Sequence, residues 1–163
     1  MFLKILFLYH IIAVYGPHDK QVDEVPYSTF ISYTEDSEFN LGPFHISFLR
    51  NVHPVEAYSI KITCEGKEVV YTADTSFTEE LVQFAKDCDL LITECSLYTG
   101  MDGTKSGHMT AEEAGILAKN SNAKQVLLTH LPHYGNLQDL LNSAKEQGNE
   151  NIRLAEKAML IDI

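Results

Sequence analysis

Three residues of this chain sit where metal chemistry is usually built. His53 lies just past the run FHISFLR, Asp74 closes EVVYTA, and His130 closes KQVLLT. Each of those runs has the pattern of a β-strand, so each side chain stands at a strand end. Ligands in layered α/β sheets collect at the carboxyl ends of strands, and loops there carry function on a rigid scaffold. Neutral imidazole and carboxylate suit Zn²⁺, Mn²⁺ or Fe²⁺. A carboxylate has two oxygens, so Asp74 could bridge two ions. Two metals about 3.5–4 Å apart can clamp a phosphoryl or acyl oxygen. A fourth residue, His108, ends a Gly-rich loop and directly precedes a helix. Plainer roles are open on spacing alone: Asp74 as a helix cap, His130 bonded to a neighbouring backbone, and His53 as a surface or core residue.

The elements that must position these side chains follow from periodicity. IIAVY (11–15) and YSTFISY are β-rich, with the polar connection DKQVDEVPYSTF between them. The stretch TEDSEFNLGP reads as an acidic loop. FHISFLR, AYSIKITC and EVVYTA alternate with period 2 and are expected to form an antiparallel meander. TEELVQFAKD, AEEAGILAKNS and NLQDLLNSAKEQG read as helices, the first two capped by Thr78 and Thr110. Glu79 and Glu80 suit the positive end of the first helix. DLLITECS and KQVLLTH are continuous apolar runs, the mark of strands buried on both faces. NIRLAEKAMLIDI closes with two short strand-like runs. The order is a β-meander, then βαβαβα, then terminal strands, which defines an α/β layered domain.

The chain has 163 residues and is 45% hydrophobic and 21% charged, which excludes disordered and low-complexity classes. Its net charge is −11, and no stretch is strongly basic. Counterion release therefore gives little drive toward nucleic acid. Cys64, Cys88 and Cys95 are odd in number and form no C-x-x-C pair, so a reduced, cytoplasmic setting is expected. Cys95 is read as a core residue rather than a nucleophile. The apolar amino end MFLKILFLYHII is too short for a spanning helix and has no clear cleavage site. It is expected to be a buried helix or strand, with a processed signal or an anchor as the alternatives.

Four segments taken together resemble metallo-β-lactamase-fold hydrolases, most closely the ribonuclease Z-like branch. They are NVHPVEAYSIKI, VVYTADTSFTEEL, SGHMTAEEAGILA and KQVLLTHLPHYG, in that order. The resemblance spans residues 13–163 and leaves 1–12 as an atypical amino end. It implies an αβ/βα sandwich, of which this chain would hold a part. It implies His53 as a ligand of a first metal, Asp74 as a bridge, His130 as a ligand of a second metal, and His108 as the group that orients or protonates the substrate. Two zinc ions are implied, with manganese or iron as alternatives. A hydroxide held between the metals would attack a phosphodiester, or an ester or lactone carbonyl. Homodimers are common among relatives, so a homodimer is implied as well.

The motif His-x-His-x-Asp-His, which defines the family, is nowhere in this sequence, and His10 and His18 are not spaced to replace it. The chain is therefore read as the carboxyl-terminal part of a longer enzyme. Each metal would keep two protein ligands where catalytic zinc normally has three. Weak metal binding and impaired hydrolysis are expected of this chain alone. No long Gly/Pro-rich arm lies between Gly16 and Gly42, which together with the acidic charge favours a small-molecule substrate over tRNA. Competing readings are a non-catalytic partner or folding module, a fragment of a tRNA 3′-processing endonuclease, and a metal-free α/β protein.

Overall fold

The structure is a computed structural model that describes residues 12–17 and 28–163. His10, His18 and the apolar stretch before Ile12 lie outside the described residues. The chain divides into two compact units, Met1–Thr34 and Glu35–Ile163. In the first, β1 (Ile12–Gly16) and β2 (Ser28–Ser32) pair in parallel, Val14 opposite Phe30. The strand expected over 11–15 is thus present.

The second unit is a seven-stranded sheet in simple sequence order, β3-β4-β5-β6-β7-β8-β9. The strands are β3 (Glu38–Leu41), β4 (Phe44–Arg50), β5 (Tyr58–Cys64), β6 (Lys67–Tyr71), β7 (Leu90–Glu94), β8 (Gln125–Thr129) and β9 (Ile152–Leu154). The first four pair antiparallel, and β6 to β9 pair in parallel. Strands β4, β6, β7 and β8 therefore run the same way and end at one edge. The parallel half needs crossovers, and three helices supply them: α1 (Glu79–Phe84), α2 (Ala111–Asn120) and α3 (Leu137–Lys145). The predicted caps hold. Thr78 accepts from the Leu81 N–H, and Thr110 closes a full capping box with Glu113.

Register explains where the core sits. Val70, Leu91, Val126 and Ile152 are paired neighbours across four strands, so they share one face. All four are fully buried, in a cluster with Leu81, Leu117 and Leu140 of the three helices. One sheet face and the inward stripes of three helices thus form a single apolar layer, as the continuous runs DLLITE and KQVLLT predict.

Two expectations need correction. Part of the expected acidic loop is a strand, β3, because Phe39 and Leu41 alternate with Glu38 and Asn40. A two-residue turn, Gly42-Pro43, folds that strand onto β4 with Leu41 opposite Phe44. Gly42 takes φ +60°, which glycine adopts without steric cost, and proline fixes the next residue. At the carboxyl end only Ile152–Leu154 is a strand. The second run, AMLIDI, pairs with no strand among the described residues, and Leu160 is 96% exposed. Among the described residues no helix is long and apolar enough to cross a membrane.

Candidate metal centre

The common edge where β4, β6, β7 and β8 end gathers the predicted site residues. Asn51 ties the ends of β4 and β6 to the start of β5. It is buried, and its Oδ1 accepts from the Ser59 N–H at 2.8 Å. Its Nδ2 donates to the carbonyls of Thr72 (2.7 Å) and Asp74 (3.0 Å). The Val52 N–H donates to Thr75 Oγ1, and the Ser76 N–H to the Val52 carbonyl, at 3.2 and 3.0 Å. The segment bearing His53 is thereby clasped to the segment bearing Asp74.

Backbone conformation aims two of the side chains. Ala73, just before Asp74, has φ +48°, and His130 has φ +51°. Both are left-handed conformations that cost a non-glycine residue about 1–3 kcal/mol and recur at functional sites. The strands stop abruptly there, and the side chains turn across the sheet edge. His130 Nδ1 lies 2.6 Å from Asp74 Oδ1. His53 Nδ1 faces the backbone of Val55, 3.0 Å from its carbonyl. Its Nε2 is the ring nitrogen left for another partner.

His108 arrives from the loop between β7 and α2. Its ring stands 5.6 Å from that of His53 and 5.2 Å from that of His130, centroid to centroid. Its Nδ1 lies 2.9 Å from Glu94 Oε1. Glu94 closes β7 and is fully buried. It also accepts from the Thr75 N–H (3.2 Å), the Ser96 N–H (3.1 Å) and the Ser96 hydroxyl (2.7 Å). A carboxylate only accepts, so Nδ1 of His108 carries the hydrogen and Nε2 is the free nitrogen.

The structure thus brings together all four residues singled out in the sequence. The three whose ligand atoms lie within 4.8 Å of one another are His53, Asp74 and His108, and His130 joins through Asp74. Burial and then the negative charges of Asp74 and Glu94 push the Tyr71 phenol above its ordinary value, so the local field is anionic. Imidazole and carboxylate donors in such a field fit a divalent cation. His45 is elsewhere, beside Asn40 on the β3–β4 hairpin. Cys95 is fully buried, and burial pushes its thiol up to about 12, which suits a core residue and not a nucleophile. Sequence reasoning missed Glu94 and Asn51. The available signal for Glu94 was an acidic residue inside an apolar run, a position that demands buried partners.

Residues 17–131 match the Beta-lactamase superfamily domain, and the chain belongs to that family. Its fold is the metallo-β-lactamase fold, in a family of metal-dependent hydrolases. The probable metallo-hydrolase YhfI of Bacillus subtilis is 40% identical over 157 residues, covering 93% of this chain and 64% of that protein. The crystal structure of YhfI superposes with a TM-score of 0.85 at 36% identity, over 90% of this chain and 63% of that one. A ribonuclease Z of Archaeoglobus fulgidus is 34% identical over 102 residues, 60% of this chain and 33% of that protein. The chain thus spans less than two thirds of the length of these relatives.

Proposed function

We propose that this chain carries part of the active site of a metal-dependent hydrolase that cleaves a small phosphodiester, or an ester or lactone of similar size. One observation carries the reading: the ends of three strands and one loop deliver His53, Asp74, His130 and His108 to a single cluster, with Asp74 in contact with His130 and within ligand reach of His53 and His108. Divalent ions, zinc by preference and manganese or iron as alternatives, would supply Lewis acidity and make water nucleophilic near neutral pH.

The residues of the chain would divide the remaining work. His53, Asp74 and His130 would hold metal, with Asp74 offering an oxygen to each side. His108 would stand over the leaving group, take up a proton at Nε2 from the attacking water or solvent, and pass it to the departing oxygen. Glu94 would fix the tautomer and tilt of that ring, as outer carboxylates commonly do. The likeness to a ribonuclease Z supports phosphodiester chemistry within this range. The net charge of −11 favours a small molecule over tRNA.

The test is Asp74→Ala. Uptake of Zn²⁺ or Mn²⁺ by the chain, and any metal-dependent hydrolysis of bis(p-nitrophenyl) phosphate, should both disappear. Metal uptake that persists in the variant, or turnover indifferent to a chelator, would sink the reading and favour a metal-free α/β protein.

A further inference from the structure

The loops that follow β7 and β8 meet in an aromatic cluster at the same sheet edge as the metal centre. Tyr98 comes shortly after Ser96, whose hydroxyl lies 2.7 Å from Glu94 and 3.4 Å from His108 Nδ1. Tyr134 follows His130 within one short turn of chain. The two rings stand 5.8 Å apart, centroid to centroid, and the Tyr98 hydroxyl donates to the Tyr134 carbonyl at 2.9 Å. Gly135, at φ +77°, lies so close that a Cβ there would collide with the Tyr98 hydroxyl, so only glycine allows this approach. The Met101 N–H donates to the Tyr98 carbonyl at 3.1 Å, which turns Met101 back toward the rings. The Tyr134 hydroxyl then donates to Met101 Sδ at 3.6 Å.

These contacts hold in place a surface that water still reaches. Tyr98 packs against the buried core, whereas Tyr134 is 54% and Met101 44% exposed. A ring already fixed at its backbone and at its hydroxyl spares a ligand the entropy of ordering it. An aromatic face and a polarizable thioether together favour a flat π system. None of the three side chains carries a charge, in a chain of net charge −11. Three side chains fall far short of the about 800 Å² per partner that a protein interface buries. They also share their loops with His130 and with the Glu94–His108 pair. Size and place therefore fit one ring of a small ligand whose reacting group reaches the cluster.

Resting on the hydrolase reading, we propose that Tyr134 and Met101 form a stacking subsite for a planar aromatic ring of the substrate. The substrate class narrows to a small phosphodiester or ester that carries an aryl or heteroaryl group close to the bond that is cut.

The experiment is an NMR titration of the 163-residue chain, labelled with ¹³C at the methionine methyls, with adenosine as the ring probe and a chelator present. The Met101 methyl signal should shift under the ring current while that of the fully buried Met109 stays still, and methyl β-D-ribofuranoside should move neither. Tyr134→Leu, which keeps an apolar side chain without a ring, should weaken the affinity at least about fivefold, and Tyr134→Phe should keep most of it. Equal affinity in Tyr134→Leu, equal shifts with the riboside or at Met109, or a Met101 signal that does not move would overturn the subsite. Because the titration needs no metal, absence of Zn²⁺ uptake alongside the expected shifts counts only against the hydrolase reading.

Discussion

Glu94 holds His108: Oε1 of the fully buried carboxylate is 2.9 Å from the ring Nδ1, and the same group accepts from Thr75 and Ser96. Every donor around Glu94 points at an acceptor-only group. An amide in its place must turn an N–H toward one of those donors. Glu94→Gln should therefore lower unfolding free energy by about 1–3 kcal/mol, the cost of a buried group left unpaired. Urea denaturation measures it, and an unchanged midpoint and slope would show that the carboxylate is dispensable.

Asn51 offers a second structural test. Asn51→Leu keeps the volume but leaves the Ser59 N–H and the Asp74 carbonyl without their partner, while the Thr72 carbonyl keeps the Ser59 hydroxyl. The expected loss is about 2 kcal/mol or more, from two orphaned groups. A variant as stable as the parent would mean that water replaces the amide.

Metal affinity should depend steeply on Asp74. Loss of an outer-sphere partner alone costs about 10–100-fold in affinity, so Asp74→Asn should weaken Zn²⁺ binding by more than about a hundredfold. Calorimetric titration of parent and variant reads this directly. A loss of less than tenfold would remove Asp74 from the ligand set.

The opposite edge of the sheet carries a pH dependence of its own. Lys124 Nζ at 2.8 Å, then the Glu68 N–H at 2.9 Å, hold the Asp89 carboxyl down to about 2 from the usual 3.8. The folded value is below the unfolded one. The carboxylate therefore stabilises the fold above pH 3.8, and that contribution is lost as pH falls toward about 2. Urea midpoints of the parent and Asp89→Asn should differ at neutral pH and converge across this window. A gap that stays constant with pH would refute the assignment.

Thiol reactivity checks the burial of the two core cysteines. Burial pushes Cys88 up to about 11 and Cys95 up to about 12, and neither has exposed surface. Cys64, at the end of β5, is half-buried. Ellman's reagent at neutral pH should therefore label Cys64 alone in the native chain, and all three thiols after unfolding. Fast native labelling of Cys95 would reopen its case as a nucleophile.

What the sequence disclosed depended on whether a pattern was local. His53, Asp74 and His130 were legible because each follows a run whose periodicity marks its end. The meander, the three helices and the buried strands were legible for the same reason. β3 was hidden because its four residues lie in acidic surroundings and only the Gly42-Pro43 turn reveals it. Glu94 and Asn51 were hidden because the partners that tie them to the site, His108 and Asp74, lie 14 and 23 residues away. Composition and spacing do not show such pairings, and register across the sheet creates them.

The switch at β6 from antiparallel to parallel pairing has a kinetic consequence. His53 and Asp74 flank a hairpin-linked meander, whose contacts are short in sequence. His130 reaches them only after two helical crossovers, β6 to β7 and β7 to β8, have closed. Loop closure over longer segments costs more entropy and slows pairing. The two halves of the centre should thus mature at different times, with His130 arriving last, and an ion bridging them would act chiefly as a latch against unfolding of the parallel half.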